Sequence, residues 1–234
     1  MTTFRKFFTL AVLLLPLAAG AQSVNPMAYY IDEEGVEQET TQIDKGEAPL
    51  TVTFRANPSD MDDWTPSYEW HFFRQALDQD PEELFVRYEE DTQYTFSESG
   101  TFNVMLKTFL DNEGTQLDSI TIVVTIPDSK LEFPNAFSPN GDGTNDVFRA
   151  KRDYRSIVSF HAYIFNRWGQ KLYEWTDPAG GWDGKYKGTD VREGVYFLLC
   201  KAKGADGVNY NFRKDVNLLR GFTESSQSSG TTTE

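Results

Sequence analysis

Residues 101–109 read TFNVMLKTF. Phe102, Val104, Leu106 and Thr108 alternate with Asn103, Met105, Lys107 and Phe109. A period of two sends the first set to one face of a β-strand and the second set to the other. The same short segments recur on both sides of this stretch: LTVTF (50–54), SITIVVTI (119–126), HAYIFNRW (161–168) and GVYFLLC (194–200). Gly, Pro, Asn and Asp punctuate them, and helical periodicity is almost absent. The pattern predicts an all-β protein of sandwiches. The one exception is DPEELFV (80–86), which reads as a helical turn.

Working outward, the first residues do not belong to that fold. Arg5 and Lys6 precede the apolar run from Phe7 to Leu17, and Ala19-Gly20-Ala21 supplies small residues for cleavage before Gln22. This is the pattern of a signal peptide over 1–21, too short to span a bilayer. No later run approaches the ~20 apolar residues of a membrane helix, so the mature protein is expected to be exported without direct membrane insertion. Export permits disulfides, yet Cys200 is the one cysteine of the chain and has no internal partner. Its place in an apolar strand predicts a buried thiol. The formal charge is −14, or −16 without Arg5 and Lys6. So acidic a chain repels phosphate backbones and anionic lipid surfaces, which argues against a nucleic-acid partner.

Composition shifts at IPDSKLEFP (126–134), where Pro127 closes a strand and Pro134 opens a new segment. The expected organisation is a domain over 22–127 with an N-terminal arm, a linker at 128–132, a second domain over 133–220, and a polar, disordered tail over 221–234. AYYIDEEGVEQETTQI (28–43) is expected to add an edge strand to the first domain.

Within the first domain, APLTVTF (48–54), YEW (68–70) and YTFSESGTFNV (94–104) stand in order. This arrangement resembles the polycystic-kidney-disease (PKD) domain, an immunoglobulin-like β-sandwich. The resemblance implies a spacer, adhesion or interaction module. It is altered at one place: the family follows its Trp strand with a W-D-F-G-D-G turn, whereas this chain continues as WHFFRQ (70–75). Trp70 is expected in the core. Trp64, Tyr68, Phe72 and Phe73 are read either as an exposed contact patch or as partly core.

The second domain carries FPNAFSPNGDGTNDVFR (133–149), IFNRWGQKLYEW (164–175), GWDGKYKGTDVREGVYFLLCKAKG (181–204) and FRKDVNLLR (212–220). These four ordered motifs resemble the gliding motility-associated C-terminal domain, the type B sorting domain of the type IX secretion system. The resemblance implies a second immunoglobulin-like sandwich. It also implies a partner in the outer-membrane translocon, or in another outer-membrane barrel complex. Placement would be at the cell surface or on the outer membrane, with a periplasm-facing position as the alternative. Members of that family usually stop near the equivalent of Leu219-Arg220, whereas GFTESSQSSGTTTE (221–234) follows here.

Each motif also has a reading from its residues. Asn166-Arg167-Trp168-Gly169 suits a hairpin turn with KLYEW returning, and Arg167 suits stacking on an aromatic ring or pairing with a carboxylate. Trp182 is expected to cap the core, and Asp183 to bond local backbone amides. GVYFLLC is expected as an inner strand, apolar on both faces. In SPNGDGTND (138–146) the oxygen-bearing side chains of Asn140, Asp142, Thr144 and Asp146 alternate, with Asn145 adding another. That spacing admits calcium or a glycine-rich loop held by Asx turns. It departs from the twelve-residue calcium loop, because Lys151 stands where a bidentate Glu belongs. The expected sorting or docking set is Asn140, Asp142, Asn145, Asp146, Arg167, Trp168, Trp182 and Asp183. No cofactor is expected beyond calcium at Asn140, Asp142, Thr144 and Asp146. His71 and His161 stand 90 positions apart, no transition-metal or nucleophile motif is present, and acidic pairs such as Asp62-Asp63 and Glu89-Glu90 read as solvated surface. A non-enzymatic protein is expected.

Overall fold

The structure, a computed structural model, describes residues 22–221 except 33, 62–63, 76–79, 111–113 and 118. The expected signal peptide, Asp62, Asp63 and residues 222–234 of the expected tail lie outside the described residues. Every regular element among the described residues is a strand, so the all-β expectation holds.

The alternation that opens the reading puts Phe102, Val104, Leu106 and Thr108 inside, with exposures of 4% or less. Their strand, Gly100–Phe109, sits at the centre of a five-stranded sheet. It pairs antiparallel with Ile120–Ile126 on one side and Ser67–Arg74 on the other. Gln42–Ile43 joins Ile120–Ile126 in parallel, and Glu82–Arg87 closes the other edge. A four-stranded sheet in the order Glu37–Thr40, Met27–Ile31, Leu50–Arg55, Asp91–Phe96 faces it. Residues 28–43 therefore supply a hairpin and a short parallel strand where a single edge strand was expected. Between the layers Phe54 meets Phe72 edge-on at 5.6 Å and Trp70 at 5.9 Å. Trp70 is fully buried, and its Nε1 donates to the Glu89 and Glu90 carbonyls at 3.1 Å, which satisfies the polar tip of a core aromatic.

One reading is corrected here and one open alternative is decided. The segment 80–86 is no helical turn: Glu82–Arg87 is a strand, because Phe85 stacks on Phe72 at 4.6 Å and meets Tyr94 at a tilt at 5.1 Å. Sheet pairing and aromatic packing override the local helix propensity of two glutamates and a leucine. Tyr68 and Phe72 do not form an exposed patch, since both are core residues, while Trp64 stays exposed and Phe73 half-buried.

The second domain is built on one five-stranded sheet in the order Ala136–Phe137, Asn209–Leu218, Gly194–Gly204, Ile157–Phe165, Lys171–Trp175. The facing layer holds only short ladders, Phe148–Arg149 with Gly181–Trp182 and Lys185–Tyr186 with Thr189–Asp190. This sandwich therefore has one full sheet and one layer mostly of turns. Gly194–Gly204 is the inner strand, but its two apolar faces have different fates. Tyr196, Leu198, Cys200 and Ala202 are buried, whereas Val195 and Phe197 face solvent. Trp182 is fully buried, 5.4 Å from Phe137 and 5.0 Å from Tyr196. Its Nε1 donates to the Lys185 carbonyl at 2.8 Å.

The stretch 128–132, expected as a linker, is bonded into the second domain. Lys130 pairs with Arg155 across an isolated bridge, Leu131 lies in the second core, and the Ser129 hydroxyl donates to Asp206 at 2.7 Å. The two domains touch where Ser99 N–H donates to the Ala205 carbonyl at 3.0 Å and the Ala205 methyl enters the first core.

Trp182→Ala is expected to cost the second domain about 3–5 kcal/mol and to leave the first domain's melting in place, read by calorimetry of both variants. Burial pushes the Cys200 thiol up to about 12, so a thiol reagent is expected to label Cys200 only after unfolding, measured by intact mass with and without denaturant.

Candidate functional site

The motif loops converge on one end of the second sheet, and their internal bonds follow from their residue types. In SPNGDGTND, Asp146 accepts the Gly141 amide on Oδ1 at 2.7 Å and the Gly143 amide on Oδ2 at 2.8 Å. Asn140 Oδ1 accepts the Asp142 amide at 3.0 Å, and Asp142 Oδ1 accepts the Thr144 amide at 2.8 Å. These are successive Asx turns. Asn140 Nδ2 donates to Asp142 Oδ2 at 2.9 Å, and the Asn145 carbonyl accepts Ser138 N–H at 2.8 Å. The Gly141 and then the Gly143 amide hold the Asp146 carboxyl below the usual carboxylate range. Both Asp146 oxygens and both Asp142 oxygens therefore already accept hydrogen bonds within the loop. Among the described residues no group of three or more His, Cys, Asp or Glu is arranged to hold a metal ion.

The turn after Ile157–Phe165 is organised by Asn166. Its Oδ1 accepts the Trp168 and Gln170 amides, both at 3.0 Å, and its own N–H donates to the Gln170 carbonyl at 3.0 Å. Gly169, at φ +78°, completes the reversal. Arg167 and Trp168 are thereby pushed out into solvent. The guanidinium lies 5.1 Å from the indole centroid, and Trp168 is 79% exposed. Of the two partners read for Arg167, the aromatic ring is the one observed.

The third turn begins at Trp182. Asp183 accepts the Lys185 amide at 3.0 Å, the local role expected for it, and is itself exposed. Gly184 has φ +76°, and a Cβ there would stand 3.0 Å from Pro139 Cγ and 3.2 Å from Arg220 Nη2. Glycine thus serves both the turn and the close approach of two other segments.

Arg220 joins these parts, and the motif reading missed it. Its Nη1 donates to the Pro139 carbonyl at 2.8 Å, and its Nη2 to the Gly184 and Val191 carbonyls at 2.9 and 3.3 Å. Asp190 lies 3.5 Å away, and Glu193 Oε1 accepts the Arg220 and Gly221 amides. One guanidinium fork, 24% exposed, therefore holds the 138–146 loop against the 182–191 turns. The available signal was an Arg directly after the last apolar strand, facing two turns rich in free carbonyls.

Asn140, Asp142, Asn145 and Asp146 thus form one exposed loop, and Asp183 stands on the turn that Arg220 clamps to it. Arg167 and Trp168 protrude from a separate hairpin. Trp182 lies beneath the turns as support and offers no surface. The arrangement contains an exposed aromatic–guanidinium pair and a rigid polar loop, which suit recognition of a partner surface.

The chain is thus an all-β protein of two β-sandwich units, with its motif loops gathered on the second. Residues 131–213 match the family described as CHU_C Type IX secretion signal domain. A domain of that description marks a sorting-related exported protein, directed toward the cell surface or outer membrane. No curated protein matches the chain in sequence. Among solved structures it is similar to a Bacteroides ovatus mixed-linkage glucan utilization locus protein, SGBP-B, in complex with a mixed-linkage heptasaccharide. That match has 14% identity over 76% of this chain and a TM-score of 0.27. The chain spans 42% of that protein's length. It is also similar to chicken CNTN1 FN1–FN3 domains, at 9% identity over 80% of this chain and 77% of that one, with a TM-score of 0.22. Similarities this weak carry no argument about function.

Arg220→Ala is expected to destabilise the second domain by about 3 kcal/mol, the scale of lost charge-assisted hydrogen bonds to carbonyls left without a donor. Arg220→Lys is expected to recover less than half of that loss, because an ammonium cannot reproduce the fork. Urea unfolding of the three proteins measures both. Because the Asp146 carboxyl is held below the ordinary carboxylate range, its contribution is present above that range and is lost as pH falls through the lower folded value. Asp146→Asn is expected to flatten the melting temperature's dependence on pH in that acidic window.

Proposed function

We propose that this is a non-enzymatic exported protein whose second sandwich is a type IX sorting domain and whose PKD-like first sandwich is a surface adhesion or spacer module. The observation that carries this reading is the match of residues 131–213 to a type IX secretion signal domain, joined to the exposed Arg167–Trp168 hairpin in the same domain. Tryptophan and arginine are both among the residue types enriched at the hot spots of protein contacts. The outer-membrane translocon is the proposed partner. Asn140, Asp142, Asn145, Asp146, Arg167, Trp168 and Asp183 form the proposed contact set, with Trp182 supporting it from below.

A second reading is a structural subunit of an outer-membrane complex, docked permanently to a membrane barrel. What favours it is that the sequence continues past Arg220, where Glu193 already binds the Arg220 and Gly221 amides.

A native pull-down from gently solubilised outer membranes, read with intact mass, separates the two. For a sorted cargo, the expected result is a chain at the surface or in the medium that touches the translocon in passing. Stoichiometric recovery of the chain from Gln22 to Glu234 with a barrel establishes the subunit. Trp168→Ala is expected to reduce recovery of translocon components about tenfold without changing melting. If recovery is unchanged, the hairpin is not the contact. Calcium is tested by melting in millimolar calcium. With the loop carboxylates already bonded, the midpoint is expected to stay in place, and a rise establishes a bound ion.

A further inference from the structure

The outer face of the second domain's sheet carries a groove that runs from the Arg167 hairpin along the strands. Its floor is Phe165, Phe197 and Leu199, and its sides are Arg167 and Arg213, with Asp215 beside the latter. The groove has a volume of about 440 Å³. Strand register builds it: Phe165 stands opposite Phe197, Leu199 opposite Arg213, and Phe197 opposite Asp215. Phe197 is 40% exposed and Val195, two residues along the same face, 47%. An apolar strip of this kind on a central strand costs solvation unless something covers it.

The charges around the strip define what would cover it. Neither Arg167 nor Arg213 has an ion-pair partner among the described residues, and Arg167 is stacked on Trp168 alone. Lys201 and Lys203 continue the same face beyond Leu199. The wider distribution agrees. Residues 22–127 hold 22 acidic and five basic side chains, whereas 128–221 hold 12 and 15. An anionic partner is therefore repelled by the first domain and drawn to the second. Two guanidiniums separated by an aromatic floor suit carboxylates that alternate with apolar side chains, since each fork binds a carboxylate in two places. Asp215 leaves room for one N–H donor of the same segment.

We propose that this groove is a docking site for an extended, acidic and apolar peptide segment of a partner protein. It rests on the docking reading above and names the partner's chemistry. Phe and Leu side chains of the segment lie on Phe165, Phe197 and Leu199, and its carboxylates lie on Arg167 and Arg213. A nucleic acid or an anionic membrane carries unbroken negative charge, which the acidic first domain opposes.

The test is selection of a random peptide library on the full mature chain, with Arg213→Glu and Phe197→Asn as counter-targets. The expected result is enrichment of Asp or Glu beside Phe, Leu or Ile, with the best synthetic peptide bound about tenfold or more weakly by either variant. Glu82→Lys, on the first domain, is expected to leave binding as it is. Both groove variants are checked for native melting, and Arg167→Glu serves if either fails to fold. No enrichment, enrichment of basic peptides, equal binding by the variants, or groove-dependent binding of phosphatidylglycerol vesicles overturns the proposal. Pull-down by the wild type and Trp168→Ala reports the docking reading separately. If the translocon is recovered while no acidic peptide is selected, the groove is refuted and the docking surface stands.

Discussion

The second domain depends on a single guanidinium. Arg220 bonds the carbonyls of Pro139, Gly184 and Val191, and those atoms belong to segments with little regular structure of their own. The layer facing the main sheet consists of two-residue ladders and turns, too short to hold one another in place. A planar five-donor group can satisfy several turn carbonyls at once, and partial burial strengthens those bonds. Gly184 is the necessary complement, because any side chain there would displace the fork or Pro139.

Beneath that clamp, Phe137, Trp182 and Tyr196 form an aromatic layer. It carries the turns on its upper side and closes the core below. Surface and support are thus different residues. The polar loop around Asp146 is rigid because its carboxylate collects two glycine amides. The Arg167–Trp168 hairpin is fixed because the Asn166 side chain accepts the Trp168 and Gln170 amides. In both cases a short polar side chain replaces the missing strand partner of the backbone. That leaves neighbouring side chains free to meet a partner.

The first domain reaches rigidity differently. Two full sheets bury Phe54, Trp70 and Phe72 between them, and hydrophobic packing carries it. The two units are joined by the Ser99–Ala205 bond and by the Ala205 methyl in the first core. Three contacts (Ser129 with Asp206, Lys130 with Arg155, Leu131 in the second core) tie the intervening residues to the second unit.

The sequence by itself determined the all-β class, the core places of Trp70 and Trp182, the buried Cys200 and the turn roles of Gly169 and Asp183. All of these follow from local signals: a period of two, a turn residue, an aromatic in an alternating run. Tertiary structure alone decided four matters. Residues 82–87 form a strand because Phe85 finds Phe72 and Tyr94, which stand on the preceding and following strands. Tyr68 and Phe72 are core because a second sheet covers them. One apolar face of Gly194–Gly204 is left open because the layer of turns covers only the other. Arg220 is a clamp because three distant carbonyls come within its reach. Periodicity tells which face of a strand is apolar, but only the packing of separate segments tells which face is covered and which charged group they enclose.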